Sequence, residues 1–207
     1  MNLYLFLFFV LIISIVIYGI RMQHQRKVRE RFIESYRFPL SIENKIIEKY
    51  PHLTNDDAQL AMQGLRDYFC MCNLADKRMV SMPSQVVDVA WHEFILFTRA
   101  YQEFCKKGLS RFLHHVPAEA MDSPTKAQQG IKTAWRLACY RETINVEKPN
   151  RLPRIFAMDA ELDIPDGFRY TLNCGGNMGY CASHIGCSSG CGGCSSGDGC
   201  SGGCGGD

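Results

Sequence analysis

The sequence predicts a mainly α protein in three parts: an N-terminal transmembrane helix, a small helical bundle domain and a disordered Cys/Gly-rich C-terminal tail. Three observations carry that expectation. An almost uninterrupted apolar stretch starts at Leu3 and ends at Ile20. Apolar residues then recur at spacings of three and four through the middle of the chain. Seven of the eleven cysteines lie between Cys174 and Cys204, among glycines and serines. The boundaries read as an anchor over 1–20, a basic juxtamembrane helix or linker over 21–40, a helical domain over 41–172 and a low-complexity tail over 173–207. The middle part is long enough for one domain with a real hydrophobic core. Charged residues make up 21% and the formal net charge is +2, so no nucleic-acid partner is expected.

Within the anchor only Tyr4, Ser14, Tyr18 and Gly19 depart from large apolar side chains. Its length, at about 1.5 Å per residue, reaches roughly 27 Å, enough to cross a bilayer core of about 30 Å. A cleaved signal peptide is the competing reading, but no basic region precedes the stretch and no A-x-A-like site follows it. Arg21, Arg26, Lys27, Arg29 and Arg31 come directly after it, whereas Met1 and Asn2 precede it. The positive-inside rule then predicts a single-pass protein of the cell (inner) membrane, N-terminus outside and soluble domain cytoplasmic. The lipid bilayer is thus the first expected partner, and the cysteines are expected to be reduced.

Ser41 is placed to cap a short helix carrying Ile42, Ile46 and Ile47, which must stop near Tyr50 because Pro51 disfavours helix at the residue before it. Thr54 with Asp57 resembles a capping box, opening a helix striped by Ala58, Ala61, Met62, Leu65, Phe69 and Cys72. Cys70 and Cys72 point about 200° apart on a helix, so they read as small buried hydrophobes and not as ligands of one ion. A central helix is expected to begin after Pro83, with Ser81 or Met82 before it, and to end where Lys106 and Lys107 meet Gly108. Its projection puts Val87, Ala90, Trp91, Phe94, Thr98, Tyr101 and Cys105 on one side and Asp88, His92 and Arg99 on another. Trp91 reads as a core anchor around which neighbouring helices assemble.

The polar strip has two readings. Asp88 can hold one ring nitrogen of His92 and leave the other for a metal or a proton. Alternatively the strip is a solvated face, with Arg99 meeting the same carboxylate. After Gly108 reverses the chain, His114 and His115 either cap a helix end or contribute one member to His92 across a hairpin. Asp88, His92, His114 and His115 are therefore the candidate polar cluster. Further on, Asp122, Ser123 and Pro124 start a helix with Ala127, Ile131, Ala134, Trp135 and Ala138 on the face expected to meet the central helix, and Cys139 beside it in the core. Pro149, Pro153 and Pro165 break the chain after that helix, leaving one helical turn around 155–162 and a short strand over 168–172 with no strong partner.

Four patterns run in order: VDxxWHEFIxxTxxYxxFC, FLHHVPAEAM, KTAWRLACYRE and RLPRIFAMDAELDIPDGFRY, with the Cys/Gly tail after them. Together, over about residues 80–207, they resemble a family of uncharacterised bacterial glycine-rich-domain proteins. They are similar, more distantly, to the plant glycine-rich domain proteins, whose matching segment carries a Trp-His and then a further His. Here Trp91 and His92 match the pair, and Phe94 stands where the further His would be. The resemblance implies an architecture, a mostly helical domain with a tail, and no chemistry.

The tail is a tandem repeat: Cys181, Cys187 and Cys191 recur 13 residues later as Cys194, Cys200 and Cys204. Glycine-rich sequence offers no apolar surface to fold on, so such a segment orders only around a ligand. Thiolates favour zinc or another thiophilic metal, and Cys191-Gly-Gly-Cys194 has a spacing common in zinc sites, with His184 nearby. An inert flexible tail and a thiol redox segment are the alternatives. No nucleophile motif, phosphate loop or HExxH pair occurs. The sequence therefore points to a non-enzymatic, membrane-anchored module that binds a protein partner. The alternative is a metal-dependent or acid/base enzyme using Asp88, His92 and His114 or His115.

Overall fold

The computed structural model describes residues 3–115, 124–172, 180–181 and 185. They form helices α1 (Leu3–Ser35), α2 (Ser41–Lys49), α3 (Asn55–Ala75), α4 (Gln85–Leu96) and α5 (Thr98–Phe104), a π-helical turn (Cys105–Leu109), then α6 (Pro124–Arg141) and α7 (Arg154–Glu161). A short strand, β1 (Tyr170–Thr171), pairs in parallel with β2 (Tyr180–Cys181), so the strand expected near 168–172 has its partner at the start of the tail. The mainly helical class is as the sequence predicts. The Cys/Gly tail beyond Ile185 lies outside the described residues.

α3 organises the domain. It begins at the expected capping box: Thr54 Oγ1 accepts from Asp57 N at 3.2 Å, and Asp57 Oδ2 accepts from Thr54 N at 2.8 Å. Both first-turn donors are thereby satisfied. It then packs against α1, α2, α4, α6, α7 and the π turn. Six consecutive residues, Tyr68 to Asn73, are buried, which a helix with a single apolar stripe cannot achieve. Cys70 and Cys72 are free thiols in this core, as expected of small hydrophobes. Gly64 makes the close approach possible, since a Cβ there would sit 2.7 Å from Val87 Cγ2 of α4 and 2.8 Å from Met158 Cε of α7.

α1 runs without a break for 33 residues, about 50 Å. Near the N-terminus it is apolar and long enough to cross a membrane, and every described side chain over residues 7–20 is exposed. Its second half, including the basic segment, belongs to the domain. Ile33 is fully buried, and Phe32, Tyr36 and Phe38 enter an aromatic cluster with Phe69, Phe94 and Phe104. Asn73 Nδ2 donates to Arg26 O at 3.0 Å. Arg141 of α6 pairs with Glu30 and reaches Asp67 at 3.6 Å and Glu34 at 3.8 Å, tying α6, α1 and α3 together.

The expected single central helix is two helices. The chain breaks at Phe97 (φ −78°, ψ 58°), leaving Leu96 and Phe97 exposed and Thr98 outside the core, while Tyr101 and Phe104 return to it. Gly108 does not make the reversal. It sits within the π turn, where a Cβ would lie 3.0 Å from Ile33 Cγ1, and the chain turns at Ser110 in the left-handed region (φ 54°). α6 packs on α3, not on the central helix; Trp135 is fully buried and donates to Val146 O at 3.2 Å.

Candidate functional site

The site is built on the first two turns of α4, which are fixed from outside the helix. Ser84, not Ser81 or Met82, is the N-cap, and its hydroxyl accepts from Val87 N at 3.4 Å. Behind it lies Asp159 of α7, a carboxylate only 1% exposed. Asp159 Oδ1 accepts from Ser84 Oγ (2.7 Å) and Val86 N (3.2 Å); Oδ2 accepts from Gln85 N (2.6 Å) and Phe168 N (2.8 Å). A buried anion with four donors at a helix N-terminus is stable because each lone pair is used and the helix dipole favours the charge. Gly167 makes room for it: a Cβ there would be 2.6 Å from Asp159 Cβ.

Beside Trp91, at the edge of the core face, Asp88 and His92 are one helical turn apart. His115 is brought to them by the break at Phe97 and the π turn. Trp91 Nε1 donates to Tyr101 Oη at 3.1 Å, and Tyr101 donates onward to Leu113 O, pinning the returning segment two residues before His115. The His115 ring then packs edge-on against Trp91 at 4.6 Å between centroids. His115 Nε2 lies 3.0 Å from Asp88 Oδ1, His92 Nδ1 3.7 Å from Asp88 Oδ2, and His92 Nε2 3.3 Å from His115 Nδ1. Side-chain exposure is 14% for His115, 18% for Asp88 and 51% for His92, so the cluster is buried at its base and open at one ring. Its ligand atoms lie within 4.8 Å of one another, close enough to hold one ion or relay one proton.

Three of the four residues of the expected polar cluster therefore converge. His114 does not join them: it is exposed and packs on Phe112, with ring centroids 4.8 Å apart. Asp88 is met by the two histidines, and the break at Phe97 takes Arg99 off the strip it was expected to share. A second ligand-like group, Glu30, Glu34 and Cys70, already surrounds the guanidinium of Arg141 and reads as an ion-pair network. Burial pushes the Cys70 and Cys72 thiols up to about 12 and that of Cys139 to about 11, so these groups are not thiolate ligands near neutral pH. Of the tail ligands, Cys181 is described only as part of β2; Cys187, Cys191, Cys194, Cys200, Cys204 and His184 lie outside the described residues. Asp159 went unseen in the sequence, where nothing separates it from Asp163 and Asp166.

Two shallow concavities, of about 180 and 440 Å³, lie elsewhere, the first beside Ile42, Leu96 and Phe97 and the second beside Arg151 and Ala157. Residues 28–189 match a family of uncharacterised proteins described as UCP032817-like. The chain belongs to the UCP032817-like family. The region shared with the UCP032817-like family starts in the second half of α1 and takes in Asp88, His92, His115 and Asp159. The apolar stretch of α1 and the cysteines from Cys191 onward fall outside it. Neither the comparison with curated proteins nor that with solved structures found a match.

Proposed function

We propose that the chain is a single-pass protein of the cell (inner) membrane whose helical domain serves as a non-enzymatic binding module on the cytoplasmic side. The observation that carries this is the continuity of α1, which passes from exposed apolar residues over 7–20 to the buried Ile33 without interruption. Large apolar side chains left in water forgo about 1.5–3 kcal/mol each, and lipid supplies the missing environment. The basic residues Arg21 to Arg31 follow the apolar half, supporting the cytoplasmic orientation. Exposed Leu96 and Phe97, beside Ile42, give the domain apolar surface for a protein partner. The Cys181 to Cys204 repeat supplies soft ligands for zinc or another thiophilic metal.

A reporter active only in the periplasm, fused to the C-terminus, tests the orientation; the expected result is no signal, and strong signal overturns it. Extraction of the chain from membranes by alkaline carbonate, without detergent, overturns the anchor. Mass spectrometry under non-denaturing, reducing conditions tests the tail, with retained zinc or copper(I) as the expected outcome.

A second reading, an acid/base or metal-assisted enzyme, has the convergence of Asp88, His92 and His115 in its favour. It needs a substrate cleft, and neither of the two concavities is lined by these residues.

A further inference from the structure

The two imidazoles of the cluster face each other across a gap that neither ring fills alone. Asp88 is their common partner, meeting His115 through Nε2 at 3.0 Å and His92 through Nδ1 at 3.7 Å. A carboxylate only accepts, so His115 carries its N–H on Nε2, toward Asp88, whereas His92 Nδ1 at 3.7 Å is beyond hydrogen-bond reach and either tautomer is open to that ring. The His115 tautomer leaves a lone pair on its Nδ1, 3.3 Å from His92 Nε2. His92 Nε2 either donates its own N–H to that lone pair or, in the other tautomer, offers a second lone pair to a cation held between the rings. A proton, giving a shared imidazolium, and a metal ion are the two cations small enough.

The separation fits a metal. Zinc bound to two nitrogens at about 2.0–2.1 Å in tetrahedral geometry holds them about 3.3–3.4 Å apart, so an ion enters between the rings with little movement of either. We propose that His92 Nε2 and His115 Nδ1 are the protein ligands of a zinc-class divalent ion, with Asp88 as the positioning residue behind both rings. A carboxylate behind each imidazole is how metal-binding histidines are oriented and made more basic. His115 is held rigidly by Trp91 and the Tyr101 to Leu113 hydrogen bond, while half-exposed His92 leaves the remaining coordination positions open to water or to a side chain from a partner. The site stands on α4 and the segment after the π turn, so it is independent of the tail cysteines and of the anchor.

The test uses the full chain in detergent, with the seven cysteines from Cys174 to Cys204 replaced by serine so that tail thiolates do not compete. Cobalt(II) and zinc(II) are the probes. The expected result is one equivalent of cobalt with the visible bands of nitrogen/oxygen coordination and no thiolate charge-transfer band, displaced by zinc. His92→Ala, at an exposed position, should weaken zinc at least tenfold while the Tm of the metal-free chain stays put. Asp88→Asn should weaken it about 10–100-fold, and the ¹⁵N shifts of metal-free His115 should leave the Nε2–H tautomer, a change that a merely structural role does not produce. Zinc affinity weaker than about 0.1 mM in the serine-substituted chain, or equal affinity in His92→Ala, overturns the proposal. So does a shared imidazolium that titrates with no response to zinc, which assigns the gap to a proton.

Discussion

Removing the Asp159 carboxylate should unfold the domain more readily than any change at the histidine cluster. Asp159→Ala strips acceptors from Ser84 Oγ and from the amides of Gln85, Val86 and Phe168. Each buried donor left without a partner costs about 1–3 kcal/mol, and the N-terminus of α4 also loses a favourable charge worth about 0.3–2 kcal/mol. Partial re-pairing through water lowers the sum, so the expected loss is about 3–5 kcal/mol, the range for breaking a buried charge network. For a chain of this size that is a fall in Tm of about 6–20 °C, read by circular dichroism in detergent. Asp159→Asn separates the causes. It keeps the volume and one acceptor but turns an NH₂ group toward Gln85 and Phe168, so it should lose at least half as much as alanine. A Tm for the asparagine variant within about 2 °C of the parent would refute the reasoning.

Other consequences are as direct. Gly64→Ala places a methyl 2.7 Å from Val87 Cγ2, and since valine has no flexible end to withdraw, α3 and α4 must separate; the expected cost is about 1–3 kcal/mol in thermal unfolding. Arg141→Ala leaves Glu30, Glu34 and Asp67 facing one another, which should cost about 1–3 kcal/mol and make α1 cleavable by protease near its junction with the domain. Cys72, its thiol pushed up to about 12 by burial, sets a pH dependence. The fold favours the protonated thiol, so its contribution is complete below the unfolded value near 8.5–9 and is lost as pH rises from there toward about 12, by up to about 1.4 kcal/mol per pH unit. The slope of Tm between pH 9 and 11 should flatten in Cys72→Ala; an unchanged slope removes Cys72 as its cause.

The features legible in the sequence were local. The Thr54 and Asp57 box and the stop of α2 before Pro51 depend on residues within one or two turns, and both appear as expected; α6 forms and buries Ala134, Trp135 and Ala138, but against α3. The break at Phe97 was not legible, because the run from Trp91 to Cys105 has no glycine or proline and keeps an apolar period throughout. The break belongs to tertiary packing: Phe104 turns toward Phe32 and Tyr36, and Tyr101 toward Leu113. The same blindness hid α3 as the hub. Its second half is wrapped by the end of α1, whose charges marked it as a juxtamembrane segment and masked Phe32 and Ile33. The histidine cluster was half legible: Asp88 and His92 follow from helical spacing, but choosing His115 over His114 required the path after the π turn.

That path links α1 to the cluster. At Gly108, where a Cβ would lie 3.0 Å from Ile33 Cγ1, the π turn rests closely on Phe32 and Ile33 of α1, and the turn leads within six residues to Leu113, whose carbonyl Tyr101 holds. His115 follows Leu113, whereas Asp88 and His92 stay with α4, which is fastened at its far end by Asp159. The 3.3 Å separation between His92 and His115 is therefore set jointly by the seating of α4 on Asp159 and by the path of the chain after the π turn.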